Sequence, residues 1–219
     1  MTSNIAKQII SCFEHGTPVP QYGSVSVLRD DNGRLQISYG IIQTNEKSNL
    51  GRLLDCYCSR HGAYYRDFAR YITSIGYNKL HADEEFKDLL RLAGQDHIMM
   101  ECQEELYNEK YIRPSEIWAS ERGFSLPLSF LVILDSYIHS GTVPYFLRKR
   151  FIEPVPSRGG DERQWVKDYV ACRKRWMEKH ENNLIRNCVY RMDCFITLIL
   201  DDNWSLDKRP IFAHGIKLV

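Results

Sequence analysis

The sequence predicts an α+β protein that is mostly helical and carries one small antiparallel hairpin near its amino terminus. Strand-like alternation of apolar and polar residues is found at residues 24–39, whereas apolar residues recur at helical spacing through most of the chain after Gln43. With 219 residues, 43% of them hydrophobic, the chain can bury a sizeable core. We therefore expect a single domain, residues 1–219, with two lobes and a small lobe around residues 20–60.

The first predicted element is a short amphipathic helix. Ser3 or Asn4 can cap it, and its apolar positions recur at helical spacing as far as Phe13. Gly16 and the prolines that follow end the helix. This pattern places Glu14 near the end of the helix.

A β-hairpin is predicted next. Apolar and polar residues alternate at 24–27 and again at 35–39, on either side of a turn at 30–33 that ends in Asn-Gly. Because Asn-Gly favours a two-residue turn, the hairpin register would pair Asp31 with Arg34.

Helices account for the rest of the prediction. Residues 126–138 are apolar on nearly every face, so this segment is the candidate for a central buried helix. A later helix places aromatic and thiol side chains at helical spacing, from Trp165 to Trp176, which is typical of a core-facing stripe. Helices are predicted after a cap at Ser48, over 63–75, 83–93, 95–110, 115–122 and 126–139, through the stripe, and over 183–200, before an irregular tail.

The composition argues against several classes of function. The seven cysteines contain no CxxC pair and are expected to be mostly reduced core thiols. No HExxH, zinc-type cluster, P-loop or GxGxxG occurs, so we expect no metal and no cofactor. Apolar runs are too short for membrane insertion, and no RNA-binding or helix-turn-helix pattern predicts a nucleic-acid partner.

Charge is unevenly distributed along a chain of net charge +1. Residues 83–105 carry eight acidic against two basic side chains, whereas residues 145–193 carry twelve basic against seven acidic ones. Such runs usually form solvated helix faces. A weakly anionic partner on the basic side is the alternative interpretation.

Several short stretches, taken in order, resemble the catalytic region of lysozyme-superfamily glycosidases, and in particular the family 46 chitosanase group and its cell-wall-lytic relatives. The resemblance implies a glycoside hydrolase with a lysozyme-like, two-lobed fold and a small sheet beside an active-site groove. It runs from about residue 9 to the carboxyl terminus. The stretches are Phe13-Glu14, Asp30-x-x-Gly33, residues 37–43, residues 134–141, and Tyr190-Arg191 followed by Asn203-Trp204.

This resemblance implies a role for each residue at the site. Glu14 would be the general acid, a hairpin aspartate the general base, and Ser38 the hydroxyl that orients the attacking water. Asp30 matches the Asp-x-x-Gly spacing, whereas Asp31 would share a sheet face with Ser38 if the two-residue turn forms. Both aspartates therefore remain candidates for the base.

Four further residues complete the predicted site. Tyr39 and Gln43 lie next to it in the sequence and are candidate sugar contacts. Asp135 lies in the apolar helix, where an unpaired carboxylate would be costly to bury, so it requires a cationic partner. The resemblance implies Arg191 as that partner, in an ion pair behind the catalytic acid that can be structural, functional or both.

The choice of substrate depends on charge. Chitosan is a polycation, and an enzyme that cleaves it would be expected to carry a strongly acidic groove and a negative net charge. Peptidoglycan is weakly anionic, which fits this near-neutral chain and its basic carboxyl-terminal half better. We therefore predict a muramidase-like hydrolase of the peptidoglycan glycan strand, inverting as the resemblance implies, with a chitosanase as the alternative. A second alternative is an inactive glycan-binding or interaction module.

Residues 1–7 lack the charged leader, apolar run and cleavage site of a signal peptide. We therefore expect synthesis in the cytoplasm and action on the cell wall, in the periplasm or outside the cell, after lysis or secretion. A phage lysin or an injected antibacterial effector would fit this pattern. Its protein partner would be an immunity protein or a secretion carrier.

Overall fold

The computed structural model describes residues 4–29, 33–41, 43–76 and 79–219. They form mainly helices with two small antiparallel sheets. The elements in chain order are α1 (Asn4–His15), β1 (Val25–Arg29), β2 (Leu35–Tyr39), β3 (Thr44–Asn45), α2 (Leu50–Ser59), α3 (Tyr65–Ala69), α4 (Glu84–Ala93), α5 (His97–Tyr107), α6 (Arg113–Glu121), α7 (Pro127–Ser140), α8 (Tyr145–Arg148), α9 (Glu162–Glu178), α10 (Asn183–Arg186), α11 (Tyr190–Leu200), β4 (Ile211–Ala213) and β5 (Ile216–Leu218).

The chain divides into two compact units. One, which we call the discontinuous unit, combines Met1–Val19 with Glu109–Val219, and the other, the hairpin unit, spans Pro20–Asn108. The small lobe expected around residues 20–60 is therefore longer than predicted. Its core explains the difference, because α4 and α5 contribute Phe86, Leu90 and Met99 to the same buried cluster as Tyr39 of β2.

The predicted hairpin is present as β1 and β2, and β3 adds a third antiparallel strand. The register pairs Val25 with Tyr39 and Arg29 with Leu35, so residues 30–34 connect the strands. A two-residue Asn-Gly turn would instead place Arg29 opposite Gln36. That predicted register is wrong by one residue.

Helix α7 is the central buried helix of the discontinuous unit, as its sequence predicted. Residues 128, 129 and 131–136 are all buried. Helix α9 packs against it and buries Trp165 and Tyr169, whose rings stack with centroids 5.2 Å apart. Trp176, at the end of the predicted stripe, is only partly buried.

Three helical predictions need correction. The 63–75 segment forms only α3 and a 3-10 turn, Ile72–Ser74, because its many aromatic and β-branched residues are weak helix formers. The 183–200 segment is interrupted between α10 and α11, where Asn, Cys and Val follow one another. The segment predicted over 95–110 is α5 followed by a π-helix, Asn108–Ile112.

The carboxyl-terminal residues, predicted to be irregular, form the hairpin β4–β5. Its two-residue turn is His214-Gly215, with φ angles of +50° and +78°. Such a turn requires positive φ at both central residues, and histidine is a rarer choice there than asparagine or aspartate. The turn signal at these two residues is therefore weak. Among the described residues, no helix has the length and apolar character needed to span a membrane.

Candidate active site

The end of α1 positions Glu14. Phe13, which precedes it, is buried and makes edge-to-face contacts with Tyr190 and Phe195 of α11, with ring centroids 5.8 and 5.7 Å away. The Tyr190 hydroxyl donates a hydrogen bond of 2.7 Å to the Phe13 carbonyl oxygen, a group left without a helical partner at the end of α1. Ring packing and this bond together fix the backbone that carries Glu14.

The carboxyl-terminal hairpin supports the same helix end. His214 stacks on Tyr190 with ring centroids 4.0 Å apart. Its Nδ1 also lies 3.2 Å from the Cys12 carbonyl oxygen, within hydrogen-bonding distance. The segment predicted to be an irregular tail is therefore part of the support of Glu14.

A chain of four alternating charges begins at Glu14 and ends in the core. Arg191 donates from Nη2 to Glu14 Oε1 at 2.6 Å and from Nη1 to Asp135 Oδ1 at 2.8 Å. Arg173 donates to the second oxygen, Asp135 Oδ2, at 2.7 Å. The side chains of Asp135 and Arg173 are fully buried, whereas Glu14 is 16% exposed. Glu14, which contacts solvent, is thus linked through the nearly buried Arg191 to two charges that are fully buried.

The electrostatics of this charge chain follow from burial and pairing. Burial alone raises the pKa of Asp135, but the guanidinium groups of Arg173 and Arg191 more than offset it, so the pKa lies below its ordinary value. Burial lowers the pKa of Arg191, yet Asp135 and Glu14 raise it well above its ordinary value. His139, one turn after Asp135, has its pKa lowered to about 4 by burial and by Arg173. The histidine is therefore neutral near pH 7.

Arg173 was not identified from the sequence. It lies on the same face of α9 as Trp165 and Tyr169, the predicted core stripe. A cation on a buried helical face indicates an ion pair, because a buried cation needs an anion. Asp135, the carboxylate predicted to be buried, was the candidate for that anion. The observed Asp135 thus has two cationic partners where the sequence argument assigned one.

Ser38 is buried in β2, opposite Ser26 and Asn45. Its hydroxyl donates to the Gln43 carbonyl oxygen at 2.8 Å, which helps to hold Gln43 at a φ of +46°. Since the hydroxyl proton is used in this bond, Ser38 Oγ would meet a water molecule as a hydrogen-bond acceptor. Its role in orienting water stays a prediction, as does a sugar contact by Gln43.

The prediction for Tyr39 is wrong. Its side chain is fully buried in the core of the hairpin unit, and its hydroxyl donates to the Leu90 carbonyl oxygen at 2.8 Å. Along a strand, successive side chains point to opposite faces, and Tyr39 shares its face with Ile37 and not with Ser38. The ring therefore packs against α4 and presents no surface for stacking on a sugar.

Gln103 is a positioning residue that the sequence did not reveal. It is buried in α5, where Oε1 accepts from the Ile41 backbone N–H at 3.0 Å and Nε2 donates to the Tyr22 carbonyl oxygen at 2.9 Å. These two backbone groups lie just after β2 and just before β1. A single amide side chain therefore ties both ends of the hairpin to a helix.

The two candidate bases, Asp30 and Asp31, lie outside the described residues. Among the described residues, no group of three histidine, cysteine, aspartate or glutamate side chains is arranged to hold a metal ion.

The sequence model of glycosyl hydrolase family 46 matches residues 8–211. The chain belongs to glycosyl hydrolase family 46. No curated protein matches it significantly. Family membership makes the chain a glycoside hydrolase with the lysozyme-like fold that its sequence resembled.

Solved structures of family 46 enzymes share this fold over nearly the whole chain. A chitosanase of Gynuella sunshinyii in complex with chitotetraose is 23% identical and superposes with a TM-score of 0.79, over 98% of this chain and 95% of its own. A mutant chitosanase from Bacillus subtilis MY002, complexed with 6 GlcN, is 20% identical with a TM-score of 0.78, over 99% and 97%. Chitosanase OU01 with substrate is 17% identical with a TM-score of 0.77, over 98% and 94%.

Proposed function

We propose that this family 46 hydrolase cleaves glucosamine polymers of the chitosan type by inversion, with Glu14 as the general acid. The observation that carries the assignment of the acid is the hydrogen bond from Arg191 to Glu14 within the buried charge chain. The solved relatives, which are chitosanases with bound chitotetraose, 6 GlcN or substrate, support the choice of polymer. They favour the alternative substrate over peptidoglycan.

The preference for peptidoglycan rested on the net charge of the whole chain. A charged polymer responds to the local field of the surface it approaches. Residues 20–108 contain thirteen acidic and ten basic side chains, although the chain as a whole has a net charge of +1. The near-neutral total therefore does not argue against a polycationic substrate.

In the proposed reaction, Glu14 protonates the glycosidic oxygen as the bond to the leaving sugar breaks. Its Oε1 accepts from Arg191, so the proton to be donated lies on Oε2. As that proton leaves, negative charge develops on the carboxylate, and the guanidinium 2.6 Å away stabilises it. Arg191, held in turn by Asp135, thereby assists proton donation without touching the sugar.

Water must be activated by a second carboxylate. Family resemblance assigns this role to the hairpin aspartate, Asp30 or Asp31, with Ser38 Oγ accepting a hydrogen bond from the water. The variants Asp30→Asn and Asp31→Asn separate the two candidates. The variant that removes the base should lose turnover, and the other should keep it. Spacing favours Asp30. An inverting enzyme acting on β-linked glucosamine releases α-anomeric product, which NMR of the fresh product detects.

The test of the acid is Glu14→Gln, assayed by the release of reducing ends from chitosan, N-acetylated chitin and peptidoglycan. We expect cleavage of chitosan by the wild type and a loss of about 10²- to 10⁴-fold in the variant. The matched control is Glu178→Gln, at the end of α9, where the glutamate pairs with Lys174 at the surface. It should change the rate by less than about twofold.

Two results would overturn the proposal. Release from peptidoglycan but not from chitosan would restore the muramidase interpretation. The expected cell-wall site of action and an immunity or carrier partner belong to that interpretation. Binding of chitosan without any release of reducing ends would instead indicate the inactive glycan-binding module.

A further inference from the structure

Two thiols meet inside the hairpin unit. Cys56 on α2 and Cys102 on α5 have their sulfur atoms 2.8 Å apart, with neither engaged in a disulfide. This separation exceeds the S–S bond length of about 2.05 Å by only about 0.8 Å. The helices that carry them pack against each other, so a covalent bond needs only a small adjustment of the side chains.

The other five cysteines, all within the described residues, are placed differently. Cys58, Cys172 and Cys188 contact backbone carbonyl oxygens, and Cys172 also contacts the Arg175 guanidinium. Cys12 and Cys194 are buried. Among the described residues, Cys56 and Cys102 are therefore the pair of thiols that lie within hydrogen-bonding distance of each other.

The surroundings assign different roles to the two thiols. Cys102 is almost completely buried, and burial, with the neighbouring Cys56, raises its pKa to about 12. Cys56 is partly exposed, so a dissolved oxidant can reach it first. The guanidinium of Arg60, held by Glu105 at 2.5 Å, interacts electrostatically with both thiols and acts to lower the pKa of Cys102, against the larger effect of burial.

We propose that Cys56 and Cys102 are a redox modification site that closes a disulfide between α2 and α5 in the presence of a low-molecular-weight disulfide oxidant. The Cys56 thiolate attacks one sulfur of glutathione disulfide, whose S–S bond breaks and releases one glutathione thiol. Cys102 then loses its proton and attacks the Cys56 sulfur, which releases the second glutathione. Two protein thiols are oxidised and one glutathione disulfide is reduced to two thiols.

The cross-link would hold the helix that anchors the hairpin. Gln103, next to Cys102 in α5, bonds to both ends of the hairpin. Joining positions 56 and 102 closes a long loop, and such closure stabilises mainly by restricting the unfolded chain. We expect the Tm of the oxidised protein to rise by about 5–10 °C.

The experiment uses the full chain, purified under reduction and then incubated with glutathione disulfide. Alkylation after unfolding should count five thiols in place of seven, and the oxidised protein should be about 2 Da lighter than the reduced one. Peptide mapping should find the Cys56 peptide joined to the Cys102 peptide. Cys56→Ser should prevent the cross-link, Cys102→Ser should stop at a glutathione adduct on Cys56, and Cys58→Ser, on the same helix as Cys56, should leave the cross-link intact.

Three outcomes would contradict the proposal: seven thiols still alkylated in the wild type, a stable glutathione adduct on Cys56 without closure, or a cross-link to another cysteine. Each is read from wild-type protein, so the test remains decisive if a serine variant fails to fold. None depends on the substrate or on the identity of the general acid.

Discussion

In the discontinuous unit, the candidate acid Glu14 is held by a chain of buried charges, Arg191, Asp135 and Arg173. In the hairpin unit, by contrast, the neutral side chains of Tyr39 and Gln103 hold the hairpin to α4 and α5, although the Ile37 N–H also donates to Glu46 Oε1 at 2.9 Å. Gln103 bonds to backbone atoms at both ends of the hairpin, and the Tyr39 hydroxyl bonds to a backbone carbonyl oxygen. One unit positions a charge with buried charges, and the other holds its hairpin to two helices through neutral side chains.

This difference determines how each unit responds to change. A buried ion loses its hydration, so removal of one partner leaves an uncompensated charge at a cost of roughly 3–5 kcal/mol. A neutral hydrogen bond contributes only about 1 kcal/mol, and its loss is worse only where a buried group is left unsatisfied. The discontinuous unit should therefore be sensitive to charge and pH, and the hairpin unit to steric fit.

Asp135→Asn should have the largest effect among the substitutions that test this contrast. The substitution keeps the shape of the side chain but leaves the buried Arg173 guanidinium without its anion and Arg191 with Glu14 alone, so we expect a loss of about 3–5 kcal/mol in the free energy of unfolding. The matched control is Asp193→Asn, whose carboxylate is 55% exposed and bonds to Lys174 at 2.6 Å. It should cost less than about 1 kcal/mol in urea titrations. Equal costs would show that burial of the charge chain does not matter.

Gly40→Ala tests steric fit in the hairpin unit. Gly33 and Gly40 both have a φ of +74°, but an added Cβ at Gly33 meets nothing within 4 Å, whereas at Gly40 it would lie 2.2 Å from Gln103 Oε1. Gly33→Ala should cost about 1 kcal/mol for backbone strain alone. Gly40→Ala should cost about 2–4 kcal/mol, because it also displaces the Gln103 amide, which makes two hydrogen bonds to the backbone.

A double-mutant cycle separates these two contributions. In a Gln103→Ala background, the extra cost of Gly40→Ala should fall to the level of Gly33→Ala, as measured by urea unfolding. If the two costs simply add, the amide does not constrain Gly40. The fit between helix and hairpin would then have to come from other contacts.

The pH dependence tests the discontinuous unit through His139. Burial and Arg173 lower its folded pKa to about 4, below the ordinary 6.5, so the unfolded chain binds this proton first as the pH falls. The free energy of unfolding should therefore decrease between pH 6.5 and 4, by roughly 2 kcal/mol. Asp135, whose pKa is lowered, contributes stability that is lost only at more acidic pH.

His139→Gln should flatten the stability curve between pH 6.5 and 4. His97→Gln, at an exposed position, is the matched control and should keep the wild-type slope. Thermal unfolding followed at intervals of half a pH unit provides the measurement. A slope that persists in His139→Gln would place its origin in another group.

The predictions that succeeded rest on patterns that are local in the sequence. Apolar periodicity located α1, α7 and α9, and alternation located the hairpin, because each pattern reports which face of an element is buried. Because a buried carboxylate needs a cation, Asp135 was correctly predicted to form an ion pair. The resemblance to family 46 then supplied Arg191, 56 residues away along the chain.

The misses concern contacts that depend on tertiary packing. Nothing local shows that Gln103 bonds to backbone groups 62 and 81 residues distant. The hairpin register was misjudged because Asn-Gly favours a two-residue turn, whereas the strands align with residues 30–34 between them. The extent of the hairpin unit depends likewise on α4 and α5 joining its core, which single-segment patterns do not encode.

Tyr39→Phe is the smallest test and addresses the residue whose role was misassigned. The substitution removes a buried hydroxyl but keeps the ring within the core, and Leu90 keeps a hydrogen bond from the Gly94 N–H at 3.0 Å. Because the carbonyl is not left unsatisfied, we expect a loss of only about 0.5–1 kcal/mol in the free energy of unfolding and unchanged KM and kcat on chitosan. A sugar contact through the hydroxyl would instead raise KM at constant stability. That result would require the core of the hairpin unit to open during binding, and it would remove the contrast between a unit governed by charge and a unit governed by fit.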